Sequence, residues 1–482
     1  MSVTYNWALL APVAVPALGA VLLLVIDLCL PRLGRLHWIL AAIILLAGAA
    51  FAVPLALPGA DSPRRTLCLP NKDCLYLVDH VGVGLQLAAL VSAAVVALLA
   101  FPIKVPGERA PVLGALVLTA AAGASGVAAA GDLGSWLVML EVATLPTVVL
   151  VALRARRAAI DGALSLLTVS LVSFAILAMG AAMWFAATGG GLLNGGGLLQ
   201  AAKTPDSHRI LVLAMMFIIA GLAFKLSLAP FHSWTPEAVG GASTPIGAYL
   251  VVTSKVAALA ALLVMVRSMN VLGNPVLGVL GVLAAVSMTL GNVMALREQS
   301  TLRFLAWSTV AQAGWVVLPL ATVSSTSLRS AAGYLVVYSL ATLVAFAVVT
   351  AIAHADGRGA ATRLRSFGGL LRRRPVLGAA LGLALLVLAG LPPGVVGLVA
   401  KVLALSPVAG NRLWVLAVVA ALNAMLGVAV YLRWLRIILG ERQEPVARGR
   451  IHPVHTGLVL AGLAGLVVTS FAPQLLLSIV GG

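Results

Sequence analysis

Four ionisable side chains lie inside apolar runs of this 482-residue chain: Glu141 in LVMLEVATLP, Lys225 in GLAFKLSLAP, Lys255 in VVTSKVAALA and Lys401 in GLVAKVLAL. One acid and three amines in hydrocarbon suit the stepwise movement of a proton. A carboxylate beside an amine keeps both groups charged; drawn apart, the amine can hand its proton on. Each charge at a bilayer centre costs roughly 2.5–3.5 kcal/mol on insertion scales, a cost that packing alone does not require. Plainer readings stand beside this one. Glu141 also fits a protonated, hydrogen-bonded carboxyl, and Lys255 a fixed ion-pair partner. Lys401 fits a counter-charge to carbonyls freed by a helix break. Lys225, near the end of its run, fits an amine that snorkels to water.

Lys225 and Lys255 flank a broken stretch, GLAFKLSLAPFHSWTPEAVGGASTPIGAYLVVTSK, from Gly221 to Lys255. The apolar run stops at Pro230, a polar segment follows, and a second run carries Lys255. His232 and Glu237 lie in that segment. Histidine titrates near neutral pH, so His232 suits proton loading; it equally suits capping of freed backbone groups. Thr235, Pro236 and Glu237 read as a helix start, with Thr235 as N-cap and Pro236 in first position. Arg303, Trp307 and Gln312 are weaker candidates. A glutamine can hold a water in a relay but cannot itself carry the charge.

The elements that hold these groups must be membrane helices. The chain is 62% hydrophobic and 9% charged, with a mean hydropathy of +1.11, a balance that only a bilayer tolerates. A span needs about 20 apolar residues. Fourteen such runs fill the chain, from Trp7–Leu30 to Thr456–Val480. All must be helical, because a lone strand cannot satisfy its backbone in lipid. The expected fold is an all-α polytopic membrane protein. The seventh run breaks at Pro230, and the twelfth, Val376–Val408, is interrupted by Leu391-Pro392-Pro393-Gly394. Paired broken helices point to repeats around a central ion site. Spans 4–8 and 9–13 would form two five-helix repeats, and an odd number makes the second inverted. The chain then divides into a three-helix segment (1–110), a first repeat (111–270), a second repeat (271–440) and a C-terminal helix (441–482).

The net charge of +17 is not a nucleic-acid patch, because the basic residues sit in short loops. Odd-numbered loops hold 20 of them, including Lys104, Arg358, Arg442 and Arg448; even-numbered loops hold 8, including Lys72. The positive-inside rule places odd loops in the cytoplasm and both termini outside. The start, MSVTYNWALL, shows no basic region of a cleavable signal. Cys29, Cys68 and Cys74 form no CxxC pair and no cluster-binding quartet. Any redox cofactor is therefore expected on another chain. Cys68 and Cys74 share the second, outer loop, where a bridge and two free thiols are both open readings.

At FKLSLAPFHSWTPEAVGGASTP, followed by Ser254-Lys255, the chain resembles the N subunit of bacterial respiratory complex I, the NADH–quinone oxidoreductase. This is an antiporter-like membrane subunit, related to multi-subunit Na⁺/H⁺ antiporters, and the similarity covers nearly the whole chain. The resemblance implies about fourteen helices, two inverted five-helix repeats with helices 7 and 12 broken, and a hydrophilic axis at mid-membrane. It implies that Glu141 is the span-5 glutamate, Lys225 the span-7 lysine, Lys255 the connecting lysine and Lys401 the span-12 residue toward the exit. The function implied is proton translocation in the bacterial inner (plasma) membrane. NADH, FMN, iron–sulfur clusters and quinone would belong to partner subunits, and K-, M-, A- and J-type subunits and lipid would be the neighbours. An Mrp-type cation/proton antiporter subunit without redox partners is the alternative. The chain departs from the family pattern at Gln312, where a histidine is usual, at Ser243, where a proline is usual, and at Glu237, often Asp. The change at Gln312 would support a further reading, a structural subunit that carries no protons.

Overall fold

The computed structural model describes residues 5–56, 63–69, 74–103, 109–154, 156–268, 275–356, 362–441 and 449–480. Lys72, Lys104, Arg358, Arg442 and Arg448 of the loop comparison lie outside the described residues. Three helices open the chain: α1 (Trp7–Cys29), α2 (Leu36–Ala56) and α3 (His80–Ala100). The next eight are α4 (Ala110–Val127), α5 (Leu133–Ala152), α6 (Arg157–Thr188), α7 (Gly196–Lys203), α8 (Pro205–Leu226), α9 (Trp234–Gly241), α10 (Thr244–Val251) and α11 (Thr253–Ser268). Then follow α12 (Pro275–Arg297), α13 (Thr301–Val317), α14 (Ser325–Asp356), α15 (Leu370–Arg373), α16 (Pro375–Ala389), α17 (Val395–Gly410) and α18 (Trp414–Leu439). The chain closes with α19 (Pro453–Phe471) and α20 (Pro473–Leu477).

Among the described residues, 13 stretches are long and apolar enough to cross a membrane singly, and α16 with α17 makes one further crossing in two pieces. The loops alternate between two faces, as fourteen crossings require. On one face Leu77 N–H donates to the Ala129 carbonyl, Gly131 N–H to Leu75, and Arg267 pairs with Asp79 at 2.9 Å. These contacts tie the second, fourth and eighth loops together. On the other face Arg35 donates to the Pro102 carbonyl, Arg433 to Glu298, and Arg374 to Gly449. Those contacts join the odd-numbered loops.

The fold is all-α as expected, with a small addition outside the helices. The second loop carries an antiparallel hairpin, β1 (Arg64–Cys68) and β2 (Cys74–Val78), with Cys68 paired to Cys74 in register. The two thiols are bridged. The hairpin seats Tyr76 and Val78 in a small cluster with Leu9, Leu55 and Val83, so it covers one end of α1–α3. It lies outside the apolar core, where ladder bonds within a hairpin are not essential to satisfy the backbone.

Both breaks have the same local cause. Helix α8 ends where Ser227 turns left-handed, φ 61°, and Pro230 follows three residues on. Helix α16 ends where Gly390 turns left-handed, φ 77°, and Pro393 again follows three residues on. Proline offers no N–H to continue a helix. The Ala229–Pro230 and Pro392–Pro393 peptides are both cis. The halves match elsewhere too. A side chain at Gly123 of α4 would strike the Ala143 backbone of α5, and one at Gly291 of α12 would strike the Ala311 backbone of α13. Two glycines at matching places thus let the corresponding helix pairs close. Span 8, expected to be continuous, is divided at Val252 between α10 and α11, and Lys255 sits one turn after that joint.

Helices α10 with α11 and α13 are wholly buried in their apolar windows, and α14 is 89% buried. They stand at the junction of the two halves. Polar groups on them therefore face protein, not lipid.

Candidate functional site

Glu141 and Lys225 meet. Lys225 Nζ lies 2.9 Å from Glu141 Oε1, with side-chain exposures of 4% and 14%. The same amine donates to Thr144 Oγ1 at 3.1 Å, and that hydroxyl lies 3.1 Å from Glu141 Oε2. Thr144 follows Glu141 by three residues, so both face α8 from one side of α5. Lys225 does not snorkel. The Ser227 turn ends α8 just after it and leaves the amine inside the bundle.

Lys255 comes to the break from the other side. Its Nζ donates to the Lys225 carbonyl at 2.9 Å and to Ser227 Oγ at 2.5 Å. It also lies 4.6 Å from the centre of the Trp234 ring. A cation at the last carbonyls of α8 suits the negative end of that helix. Thr235 is not the N-cap of α9. Ser233 takes that place, and Thr235 Oγ1 instead shares a 2.5 Å hydrogen bond with Ser227 Oγ. The tertiary partner outcompetes the local cap.

Lys401 repeats the device in the second half. Its Nζ donates at 2.6 Å to the Ala389 carbonyl, the last of α16, and lies 5.4 Å from the Trp315 ring centre. The counter-charge reading of Lys401 thus describes its observed bond. Gly390 leaves room for it: a Cβ there would come 2.9 Å from Lys401 Cδ.

Between the lysines runs a set of hydroxyls that sequence reasoning did not single out. Tyr338 donates to the Val251 carbonyl at 2.8 Å, and its hydroxyl lies 2.9 Å from Thr309 Oγ1. Tyr334 donates to Gln312 Oε1 at 2.5 Å. Gln312 Nε2 donates to the Tyr431 hydroxyl at 2.8 Å and to the Leu388 carbonyl at 3.3 Å. Gln312 is one residue beyond Ala311, as Thr144 is one beyond Ala143. Leu388 precedes Gly390 as Lys225 precedes Ser227. The Gln312–Leu388 contact therefore stands where Thr144–Lys225 stands in the first half.

Small cavities accompany this line. One of about 20 Å³ is lined by Thr144, Ser170, Ser173, Lys225 and Ser254. One of about 10 Å³ joins Lys255 to Thr309 and Tyr338, and another of about 10 Å³ lies among Tyr338, Tyr334 and Gln312. A single water needs roughly 10–15 Å³. The spaces fit single waters and do not form an open pore.

The remaining sequence candidates stand apart. His232 is half-buried in the break, its ring centre 5.2 Å from that of Trp307, with Nδ1 unpartnered. Glu237 is exposed on α9. Arg303 pairs with Glu298 at 3.1 Å, away from the line.

A family model described as NADH:quinone oxidoreductase/Mrp antiporter, TM, matches residues 130–427. The NADH-quinone oxidoreductase subunit N of Salinispora tropica is 37% identical over 98% of each chain. The chain belongs to this N-subunit family. A chain of respiratory complex I from Thermus thermophilus, solved with bound aureothin, superposes with a TM-score of 0.80 at 28% identity, covering 98% of this chain and 100% of that one. A chain of the Mrp complex from Dietzia sp. superposes with a TM-score of 0.85 at 22% identity, over 98% and 96%. That second likeness speaks for the fold alone. The N-subunit fold accounts for the fourteen crossings and for two inverted five-helix repeats with matching breaks.

Proposed function

We propose that this chain is the proton-translocating N-type subunit in the membrane arm of an NADH–quinone oxidoreductase. The observation that carries the reading is the Glu141–Lys225 pair, joined through the α8 break to Lys255. Two charges and a second amine share one buried junction, so a change at Glu141 is felt at both lysines. Glu141 is the end of the line nearest the lateral surface of the subunit, on a helix face shared with exposed Val138, Leu145 and Val149. Redox work in partner subunits shifts the field there. Lys225 then gives up or gains its proton, and Lys255 relays it. Tyr338, Tyr334 and Tyr431 pass it on, each hydroxyl accepting one proton as it releases another, with Gln312, bonded to Tyr334 and Tyr431, holding the bridging water between the phenols. Lys401 exchanges it with the outer side. Moving a charge against ~100 mV costs about 2.3 kcal/mol, so each step must be gated.

His232 loads the line from the cytoplasmic face, with Glu237 at its mouth. The basic bias of the odd loops and the bridged Cys68–Cys74 hairpin on the opposite face support both termini outside, in a bacterial plasma membrane. Segments 1–110, 111–270, 271–440 and 441–482 serve as a helical flank, the two repeats and a closing helix. NADH, FMN, iron–sulfur clusters and quinone belong to partner subunits, and K-, M-, A- and J-type membrane subunits are the neighbours.

The test is proton pumping by vesicles holding the assembled enzyme with Lys225→Ala or Glu141→Ala. Both variants should assemble and pump several-fold less. Full pumping by both would remove their assigned roles. The rival reading, an Mrp-type antiporter subunit, predicts purification without flavin and iron–sulfur subunits.

A further inference from the structure

We propose that α14 carries a second proton inlet, running from a three-histidine cluster at the odd-loop face to Tyr338. The proposal rests on the translocation reading above and adds a route that does not pass His232.

The cluster forms where the end of α14 meets the start of α19 and the end of α3. The His354 ring centre lies 5.5 Å from that of His455, and His455 lies 6.2 Å from His452. Phe101 packs against His452 at 5.9 Å. His354 and His452 are partly exposed, whereas His455 is fully buried. His455 Nε2 sits 3.0 Å from the Leu99 carbonyl, a contact that needs the proton on Nε2. Nδ1 is then left with a free lone pair, and it has no partner. The cluster thus reaches from water to a buried basic nitrogen. Its charged surroundings are Arg35, which bonds the Pro102 carbonyl, Arg374, which bonds Gly449, and the His37–Asp27 pair at 3.7 Å.

From His354 the same face of α14 continues inward at four-residue steps through Thr350, Phe346, Thr342 and Tyr338. Exposures along it are 0% for Thr350 and Phe346, 2% for Thr342 and 3% for Tyr338. A buried hydroxyl in a helix ordinarily bonds a carbonyl one turn back. The hydroxyl of Thr350 has no hydrogen-bond partner, nor has that of neighbouring Ser339, and the Thr342 hydroxyl faces the Tyr338 phenol. Buried polar atoms left so are uncommon, and two along one helix mark a place for water. Thr342 and Thr350 are two turns apart, about 12 Å, with Phe346 between them. The ring closes the route in this conformation. An inlet open at both ends would short-circuit the membrane, so a closure there is what the function needs. Each transfer is a proton hop: a histidine takes a proton from bulk water and releases it to a hydroxyl-bound water, which passes one on to Tyr338.

The experiment uses the assembled enzyme in vesicles with Thr342→Val and Thr350→Val together, beside Thr342→Ser and Thr350→Ser together. Valine keeps the shape and removes the hydroxyl; serine keeps the hydroxyl. NADH oxidation by a soluble artificial acceptor reports assembly. The valine pair should pump several-fold less at unchanged acceptor activity, and the serine pair should pump near the parent rate. Parental pumping by the valine pair, or equal losses in both pairs, overturns the inlet. Lys225→Ala in the same assay keeps the two proposals separate: if it pumps fully, the main line fails; if it does not and the valine pair does, only the inlet fails.

Discussion

Lys225 and Glu141 are held 2.9 Å apart, with the Thr144 hydroxyl bridging amine and acid from one turn away. Removing one partner of a buried pair typically costs about 3–5 kcal/mol, because the other charge stays behind. Replacing both can be nearly neutral. Glu141→Gln should therefore lower the melting temperature of the purified enzyme, and Glu141→Gln with Lys225→Met should recover most of it. Pumping should stay low in both. A double variant that pumps normally would show that the pair serves packing only.

These charges could be read from the chain because a lysine or glutamate in an apolar run is expensive and so conspicuous. Tyr334, Tyr338 and Tyr431 could not. A tyrosine is apolar over most of its ring, and only the fold shows its hydroxyl aimed at Gln312 or Thr309. The two helix breaks were visible through Pro230 and Pro392-Pro393. The joint at Val252 was not, since neither proline nor glycine marks it. Thr235 looked like a cap because capping is judged over neighbouring residues, while Ser227, its actual partner, lies across the break. The hairpin stayed hidden because its strands are five residues each, within a loop between apolar runs.

The bridged Cys68–Cys74 pair gives a test of orientation. In right-side-out vesicles, an impermeant reductant followed by an impermeant maleimide should label both thiols. Cys29, at the opposite end of α1, should label only after permeabilisation. The reverse pattern would turn the subunit over. The bridge closes a short loop, so Cys68→Ser with Cys74→Ser should cost about 2 kcal/mol on loop-entropy grounds, read as a lower melting point for the hairpin end.

Gly390 serves two ends at once. Its φ of 77° is a left-handed conformation, and its missing side chain leaves space along Lys401. Gly390→Ala should cost about 1–2 kcal/mol in backbone conformation alone. It should also push Lys401 off the Ala389 carbonyl. The expected result is a modest drop in melting temperature with a larger fractional loss of pumping. A drop in stability with pumping intact would mean that the Lys401–Ala389 bond is a helix cap and nothing more.

Gln312 receives the Tyr334 hydroxyl at 2.5 Å and gives to Tyr431 at 2.8 Å, so it holds both donor and acceptor roles in one side chain. A neutral imidazole has the same two roles, and it can also take up a proton. Gln312→His should therefore fold and pump at least as well as the parent. Gln312→Leu keeps the volume and removes both roles. It strands the Tyr334 phenol and the Leu388 carbonyl, while Tyr431 keeps its bond to Ser308, and each buried group left unsatisfied costs about 1–3 kcal/mol. If the line runs through Gln312, the leucine variant should lose pumping beyond what its lower melting point explains. Equal pumping by the histidine and leucine variants, at a temperature where both are folded, would route the proton around this residue. It would leave Lys401 without a connection to the first half.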